Sequence, residues 1–285
     1  CEGLVGSEMC IRDSYYIYSI SVISALLMIS VLLIFRSYIG PFSEVNNCDS
    51  GDNLSIVCGL EKSPEDIVVT PDNKYLIISG FGGIAPLHES NDPRGGEGSL
   101  FLMDAYTKSN NSINIRYEEN VWGDGECNRD SESSFNPHGI DLVKRNDGKY
   151  QLSVVSHLPI ETIEMFELLK TDIESSNEEI VPIWELVWRG CVSVPEEYYL
   201  NDVSLAPDGS LFTTHMHSKN ISILEFLFKS ITKGKTGFAM RWDKEFGFSE
   251  ISNSQGGQPN GIVYDNSTDI LHISLNLSDK IISIN

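Results

Sequence analysis

The chain has 285 residues, 41 of them acidic against 20 basic, for a formal charge of −21. That surplus excludes a nucleic-acid partner, because phosphate neutralisation needs clustered Lys and Arg and the sequence has no such cluster. A hydrophobic share of 41% supplies a sizeable core, and the excess carboxylate fits a calcium-handling or secreted protein as well as a well-solvated surface.

Cys1 to Ser14 reads as a non-native, adapter-like leader and is set apart from the fold. Tyr15 to Phe35 follows, 21 residues without a charge, with Arg36 just beyond. A run of that length predicts a transmembrane helix acting as an uncleaved signal-anchor, with a long signal peptide as the alternative. A linker over 36–47 leads into one domain covering 48–285. Sequons begin at Asn53, Asn110, Asn220, Asn266 and Asn276, usable if the domain is exocytoplasmic. Cys48, Cys58, Cys127 and Cys191 show no CxxC or Cys/His ligand spacing, which argues against zinc.

From Cys48 onward the sequence alternates short apolar runs with turn residues, and a weak repeat emerges. Each copy is a polar pair, an apolar strand, a Pro-Asp or Asn/Asp turn, and a second strand. The pairs are Glu65-Asp66, His138-Gly139, Asn201-Asp202 and Asn260-Gly261, spaced by 73, 63 and 59 residues. One four-stranded sheet plus a loop per unit predicts the radial repetition of a β-propeller. The first residue of each pair then converges on the axis. Carboxylate and amide oxygens gathered there are hard ligands of the kind calcium takes.

The second copy is a β-hairpin around Asn146-Asp147-Gly148. His138 enters its first strand and His157 closes its second, so the two imidazoles meet at one end of the sheet. Such a pair suits a proton relay or a metal site. Between the copies, Tyr117 to Ser134 reads as a solvated acidic insertion, without the ligand spacing of an EF-hand. Glu161 to Glu179 reads as a strand followed by an exposed acidic turn, and Ile221 to Thr232 as a short helix. Trp122, Trp184, Trp188 and Trp242 are assigned to blade packing, and His88 and His272 receive no catalytic role.

Glu65-Asp66, the run Phe135-Asn136-Pro137-His138-Gly139-Ile140, Val154-Val155-Ser156-His157, Leu200-Asn201-Asp202 and Asn260-Gly261-Ile262 resemble the paraoxonase/arylesterase family of calcium-dependent lactonases. Cys48, ahead of Glu65-Asp66, fits the same pattern. The resemblance implies an all-β, six-bladed propeller with two calcium ions in its channel. Glu65, Asn201 and Asn260 would hold a catalytic calcium. Asp66, Asp202 and the carbonyl of Ile140 would hold a structural one. His138 would be the general base and His157 its partner, and Cys48 would pair with a cysteine beyond Asn285. The implied activity is hydrolysis of small lactones and aryl esters by a membrane-anchored or secreted protein.

The sequence departs from that pattern in four respects. It ends soon after the fourth repeat, so about four of six blades are expected and the last calcium ligands would lie further on. Met216-His217 stands where the family tends to carry Asp-His. The loop Phe81 to Ser99 is Gly-rich and lacks the family's aromatic lid residue. Gln258-Pro259-Asn260-Gly261 reads more like gluconolactonase relatives, which lack the histidine pair. A sugar-lactone hydrolase with one axial metal, and a non-catalytic calcium-binding propeller, are the competing readings.

Overall fold

The computed structural model describes residues 4–39, 60, 62–83, 96–174 and 180–285. Cys48, Asn53, His88 and most of the Phe81–Ser99 loop lie outside the described residues. The chain divides into two compact units, Cys1–Cys58 and Gly59–Asn285.

The first unit holds α1, Leu4–Ile39. Among the described residues no helix is long and apolar enough to cross a membrane. The transmembrane signal-anchor expected over Tyr15–Phe35 is therefore corrected, and the membrane partner expected through it is unsupported. The uncharged stretch is the middle of a longer helix whose sequence carries Glu8, Arg12 and Asp13 before it and Arg36 after it.

The second unit is built from sheets in chain order. The first sheet is β1 (Ser63–Val69), β2 (Tyr75–Phe81), β3 (Ser99–Asp104) and β4 (Asn110–Ser112). The second is β6 (Pro137–Lys144), β7 (Tyr150–Ser156), β8 (Thr162–Glu174) and β9 (Ile180–Ser193), with β5 (Asn114–Tyr117) added parallel to β9 at its outer edge. The third is β10 (Tyr198–Leu205), β11 (Leu211–Ser218), β12 (Phe238–Asp243) and β13 (Gly247–Glu250). The fourth is β14 (Pro259–Asp265), β15 (Ile270–Leu275) and β16 (Lys280–Ile284). A short helix, α2 (Ile223–Thr232), links β11 to β12 where the sequence expected one.

The arrangement among the described residues is propeller-like with four blades, which corrects the six-bladed expectation. The repeat counted in the sequence is the number of sheets that form; the further blades came from the family resemblance alone. In each sheet the strand bearing the polar pair (β1, β6, β10 or β14) forms one edge, and consecutive strands of this kind lie against one another.

The cores are the interfaces between blades. Ile77, Leu100 and Leu102 of the first sheet meet Ile140, Leu152, Val154, Phe166 and Trp188 of the second. Val155, Ile163, Met165 and Val192 of the second meet Leu200, Val203, Leu211, Met240 and Trp242 of the third. Ala239 carries the third onto Ile262, Leu271 and Ile273 of the fourth. Within β7, Leu152 and Val154 face one interface and Val155 the next, as the two-residue period of a strand requires. The second sheet is thus buried on both faces, and polar residues of its strands such as Gln151, Ser153, Glu164 and Glu167 are buried with the apolar ones.

Turns close the hairpins as their chemistry demands. Gly148, at φ 87°, takes the left-handed position of the Asn146-Asp147-Gly148 turn. In the first hairpin Asp72 Oδ1 accepts from Thr70 Oγ1 at 2.8 Å and from Lys74 N at 3.2 Å.

The segment between β5 and β6 is pinned rather than a free solvated insertion. Cys127 forms a disulfide with Cys191 of β9, across 64 residues. Asn120 Nδ2 donates to the Cys127 carbonyl at 2.8 Å. Arg129 reaches inward to Glu164, 3.0 Å away, with both side chains almost wholly buried. The pairing was invisible in the sequence because the two cysteines are distant and share no motif.

Replacing Cys127 and Cys191 together by Ser should lower the free energy of unfolding by about 2–5 kcal/mol. Urea unfolding of the two proteins measures it, and unchanged midpoints would show that the disulfide does not constrain the fold.

Candidate functional site

All four inner hairpins slip register at the same place. The shifts fall between Pro64 and Asp66 in β1, Pro137 and Ile140 in β6, Leu200 and Val203 in β10, and Pro259 and Ile262 in β14. A β-bulge inserts residues without ladder partners and re-aims their side chains. The residues so released are the polar pairs found in the sequence: Glu65, His138-Gly139, Asn201-Asp202 and Asn260-Gly261.

The structure brings several of these together. His138 Nε2 lies 3.1 Å from Glu65 Oε1 and 3.3 Å from Asn201 Nδ2. On its other side, His138 Nδ1 is 2.8 Å from His157 Nε2. The hairpin anticipated this meeting, since His157 follows the last residue of β7 and Pro137 pairs with Ser156. Phe81 stacks on the His138 ring at 4.6 Å and 6° between planes.

The second members of the pairs do a different job. Asp66 Oδ2 accepts from Ile140 N at 2.8 Å, and Asp202 Oδ2 accepts from Ile262 N at 2.8 Å. Each aspartate thus crosses from one inner strand to the next. Gly139 leaves room for this: a Cβ there would run into the Asp202 carboxylate and the Asn201 backbone. Burial first, and then the negative charges of Asp66 and Glu65, push Asp202 well above the ordinary carboxylate range. Burial also raises Asp66, against the opposing effect of the Ile140 and Ile67 amides.

Among the described residues no group of three or more His, Cys, Asp and Glu side chains is disposed to hold a metal ion. Ile140, expected as a carbonyl ligand, gives its amide to Asp66. Asn260 sits at the bulge of β14 and its carbonyl accepts from Thr214 Oγ1 at 2.6 Å. The expected ligand residues therefore occupy equivalent positions at the heads of the inner strands without forming a closed cage.

Several residues at this centre escaped the sequence analysis. Glu161 Oε1 lies 2.9 Å from His157 Nδ1 and accepts from Leu200 N at 2.7 Å. Lys219 Nζ is 2.9 Å from Glu161 Oε2. Burial alone would raise Glu161, but the neighbouring His157 and Lys219 hold it below the usual range, so it is the charged member. Complete burial lowers His157 below the ordinary imidazole range, against the opposing charge of Glu161. Tyr199 stacks on His157 at 4.4 Å, and His217 stacks on the other side of Tyr199 at 5.1 Å. No motif marks Glu161 or Lys219; the only signal was the placement of Glu161 four residues after His157.

No family model matches the chain. It is similar to serum paraoxonase/arylesterase 2 of Gallus gallus, 28% identical over 153 residues, covering 53% of this chain and 39% of that protein. It is also similar to serum paraoxonase/lactonase 3 of Oryctolagus cuniculus, 32% identical over 139 residues, covering 48% and 35% respectively. The chain thus spans well under half the length of these curated relatives. Among solved structures, TolB from Acinetobacter baumannii has a TM-score of 0.38 at 11% identity, covering 82% of this chain and 46% of that one, a likeness too slight to bear on function. The two curated relatives and the blade architecture fit a paraoxonase-like propeller.

His215, beside this centre and 4% exposed, is lowered to about 4 by burial and by the neighbouring His217. Unfolded histidine binds its proton near pH 6.5, so the folded state binds fewer protons between pH 6.5 and 4. Stability should be full above pH 6.5 and fall as pH drops through that window. In His215→Gln the slope of unfolding free energy against pH should lose about one proton there, read by urea titration at each pH. A slope equal to the wild type would contradict the assignment.

Proposed function

Starting from a chain similar to paraoxonases, we propose that it belongs to a hydrolase of small lactones and aryl esters, with His138 as general base. The observation that carries this reading is the 2.8 Å contact between His138 Nδ1 and His157 Nε2, with Glu65 and Asn201 on the opposite nitrogen. The curated relatives, named as arylesterase and lactonase, support the substrate class.

In this reading a water beside His138 Nε2 attacks the acyl carbonyl and gives up its proton to that nitrogen. The resulting imidazolium is then stabilised by the Glu65 carboxylate, 3.1 Å away. Phe81 holds the imidazole plane from one face, which keeps Nε2 aimed along one direction. Collapse of the tetrahedral adduct breaks the ester bond, and the proton on His138 passes to the departing alkoxide or phenoxide.

The residues present fit a calcium ion in donor chemistry. Glu65, Asp66, Asn201, Asp202 and Asn260 are oxygen donors gathered at the bulges, with no sulfur among them. Asp202, its proton affinity raised first by burial and then by Asp66 and Glu65, would carry its negative charge readily beside a divalent cation. Glu65, Asn201 and Asn260 would hold a catalytic ion, and Asp66, Asp202 and the Ile140 carbonyl a second one. When bound, calcium would polarise the substrate carbonyl. The disulfide between Cys127 and Cys191 supports an oxidising, exocytoplasmic or secreted setting.

Hydrolysis of an aliphatic lactone, of gluconolactone and of phenyl acetate should be measured on the full chain, with calcium and with chelator, in wild type and His138→Gln. Turnover of the aliphatic lactone or aryl ester should be lost with chelator and fall by about 10²–10⁴-fold in the variant. Gluconolactone turnover indifferent to the substitution would move the protein to the sugar-lactone enzymes. No turnover of any substrate would leave a binding propeller and sink the proposal.

A further inference from the structure

We infer that Glu161, braced by Lys219, is the positioning residue of the histidine pair: it fixes the His157 proton on Nδ1 and leaves His138 Nε2 as the free basic nitrogen. The catalytic consequence rests on the hydrolase reading above; the tautomer assignment does not.

Hydrogen-bond direction carries the inference. Leu200 N can only donate, and it points at Glu161 Oε1 from 2.7 Å. Lys219 Nζ can also only donate, and it sits 2.9 Å from Oε2. A carboxylate that takes a backbone N–H on Oε1 and has an ammonium paired with Oε2 is held ionised, and an ionised carboxylate can only accept. Its third neighbour, His157 Nδ1 at 2.9 Å, must then be the donor. A neutral imidazole has one N–H, so His157 Nε2 bears a lone pair. That lone pair faces His138 Nδ1 at 2.8 Å, which makes His138 Nδ1 the donor in turn. The remaining nitrogen, His138 Nε2, is left without a proton; it faces the Asn201 amide nitrogen at 3.3 Å and the Glu65 carboxylate at 3.1 Å, an acceptor ready to hold the proton that this nitrogen takes up. One ionised carboxylate thus sets the polarity of two rings.

The parts are held from independent elements. Glu161 is in the loop between β7 and β8, Leu200 in β10, and Lys219 just past β11, where Lys219 N donates to the Glu197 carbonyl at 2.9 Å. His157 is clamped by the parallel ring of Tyr199 at 4.4 Å. Glu161 and His157 are both fully enclosed, with side chains 1% and 0% exposed. An ionised carboxylate enclosed that way is retained only with good partners, and here every partner faces the histidine line or braces it.

Imidazole ¹⁵N–¹H correlation spectra of the full chain test the assignment directly. Wild type should show His157 protonated on Nδ1, and Glu161→Gln should lose that uniform state. In lactone hydrolysis Glu161→Gln should lower kcat by at least about 10²-fold with KM within about threefold. In a His157→Asn background the same substitution should cost almost nothing more, because its effect passes through His157. A wild-type His157 protonated on Nε2 would overturn the inference, as would losses that multiply in the double variant. Nδ1 protonation in a wild type that turns over no ester would keep the tautomer assignment and discard the hydrolase reading.

Discussion

The repeated bulge at the head of each inner strand is the constraint on which the rest of the structure depends. A regular hairpin would alternate its side chains between the two blade interfaces, where apolar residues belong. By slipping register at Glu65, His138-Gly139, Asn201-Asp202 and Asn260-Gly261, each strand frees a polar residue from that alternation. The ladder then resumes with Asp66, Ile140, Val203 and Ile262 in register, of which Ile140, Val203 and Ile262 belong to the buried cores. Polar head and apolar stem coexist in one strand because of one irregularity.

The bulges also leave backbone amides that need partners, and the aspartates answer this. Asp66 takes the amide of Ile140, and Asp202 the amide of Ile262, so alternate blades donate a carboxylate and the blade after each provides a glycine and an amide. Asp141 repeats the device lower down, accepting from Leu205 N at 2.7 Å. These links set the height of one blade against the next, and with it the 3.1 Å and 3.3 Å distances from His138 to Glu65 and Asn201. Gly139 belongs to the same requirement, because the Asp202 carboxylate occupies the space a Cβ would fill.

Buried charge is concentrated around the second sheet, and each case is compensated. Glu164 is met by Arg129 at 3.0 Å and by the Trp188 indole at 2.7 Å. Glu161 is met by Lys219, Leu200 and His157. Unpaired, either carboxylate would cost several kcal/mol in so enclosed a setting. The Cys127–Cys191 bridge holds the segment carrying Arg129 against β9, joining the packing of that blade to its charge network.

The hairpin around Asn146-Asp147-Gly148, the polar pairs and the meeting of His138 with His157 were legible in the sequence because each is decided within a few residues or by one antiparallel pairing. Turn chemistry and the two-residue strand period act locally, so they leave a pattern that can be read directly. The number of blades could not be read from the resemblance, and the apolar stretch at Tyr15–Phe35 took its meaning from an imagined boundary where the helix in fact continues from Leu4 to Ile39. Glu161, Lys219, Tyr199 and the Cys127–Cys191 pair come from separate loops and strands. Only the stacking of one blade on the next brings them within hydrogen-bond or bonding distance. The sequence by itself determined which residues head the inner strands; tertiary packing decided which of them touch and where the proton on His157 sits, because those depend on distances between chain segments that no local pattern encodes.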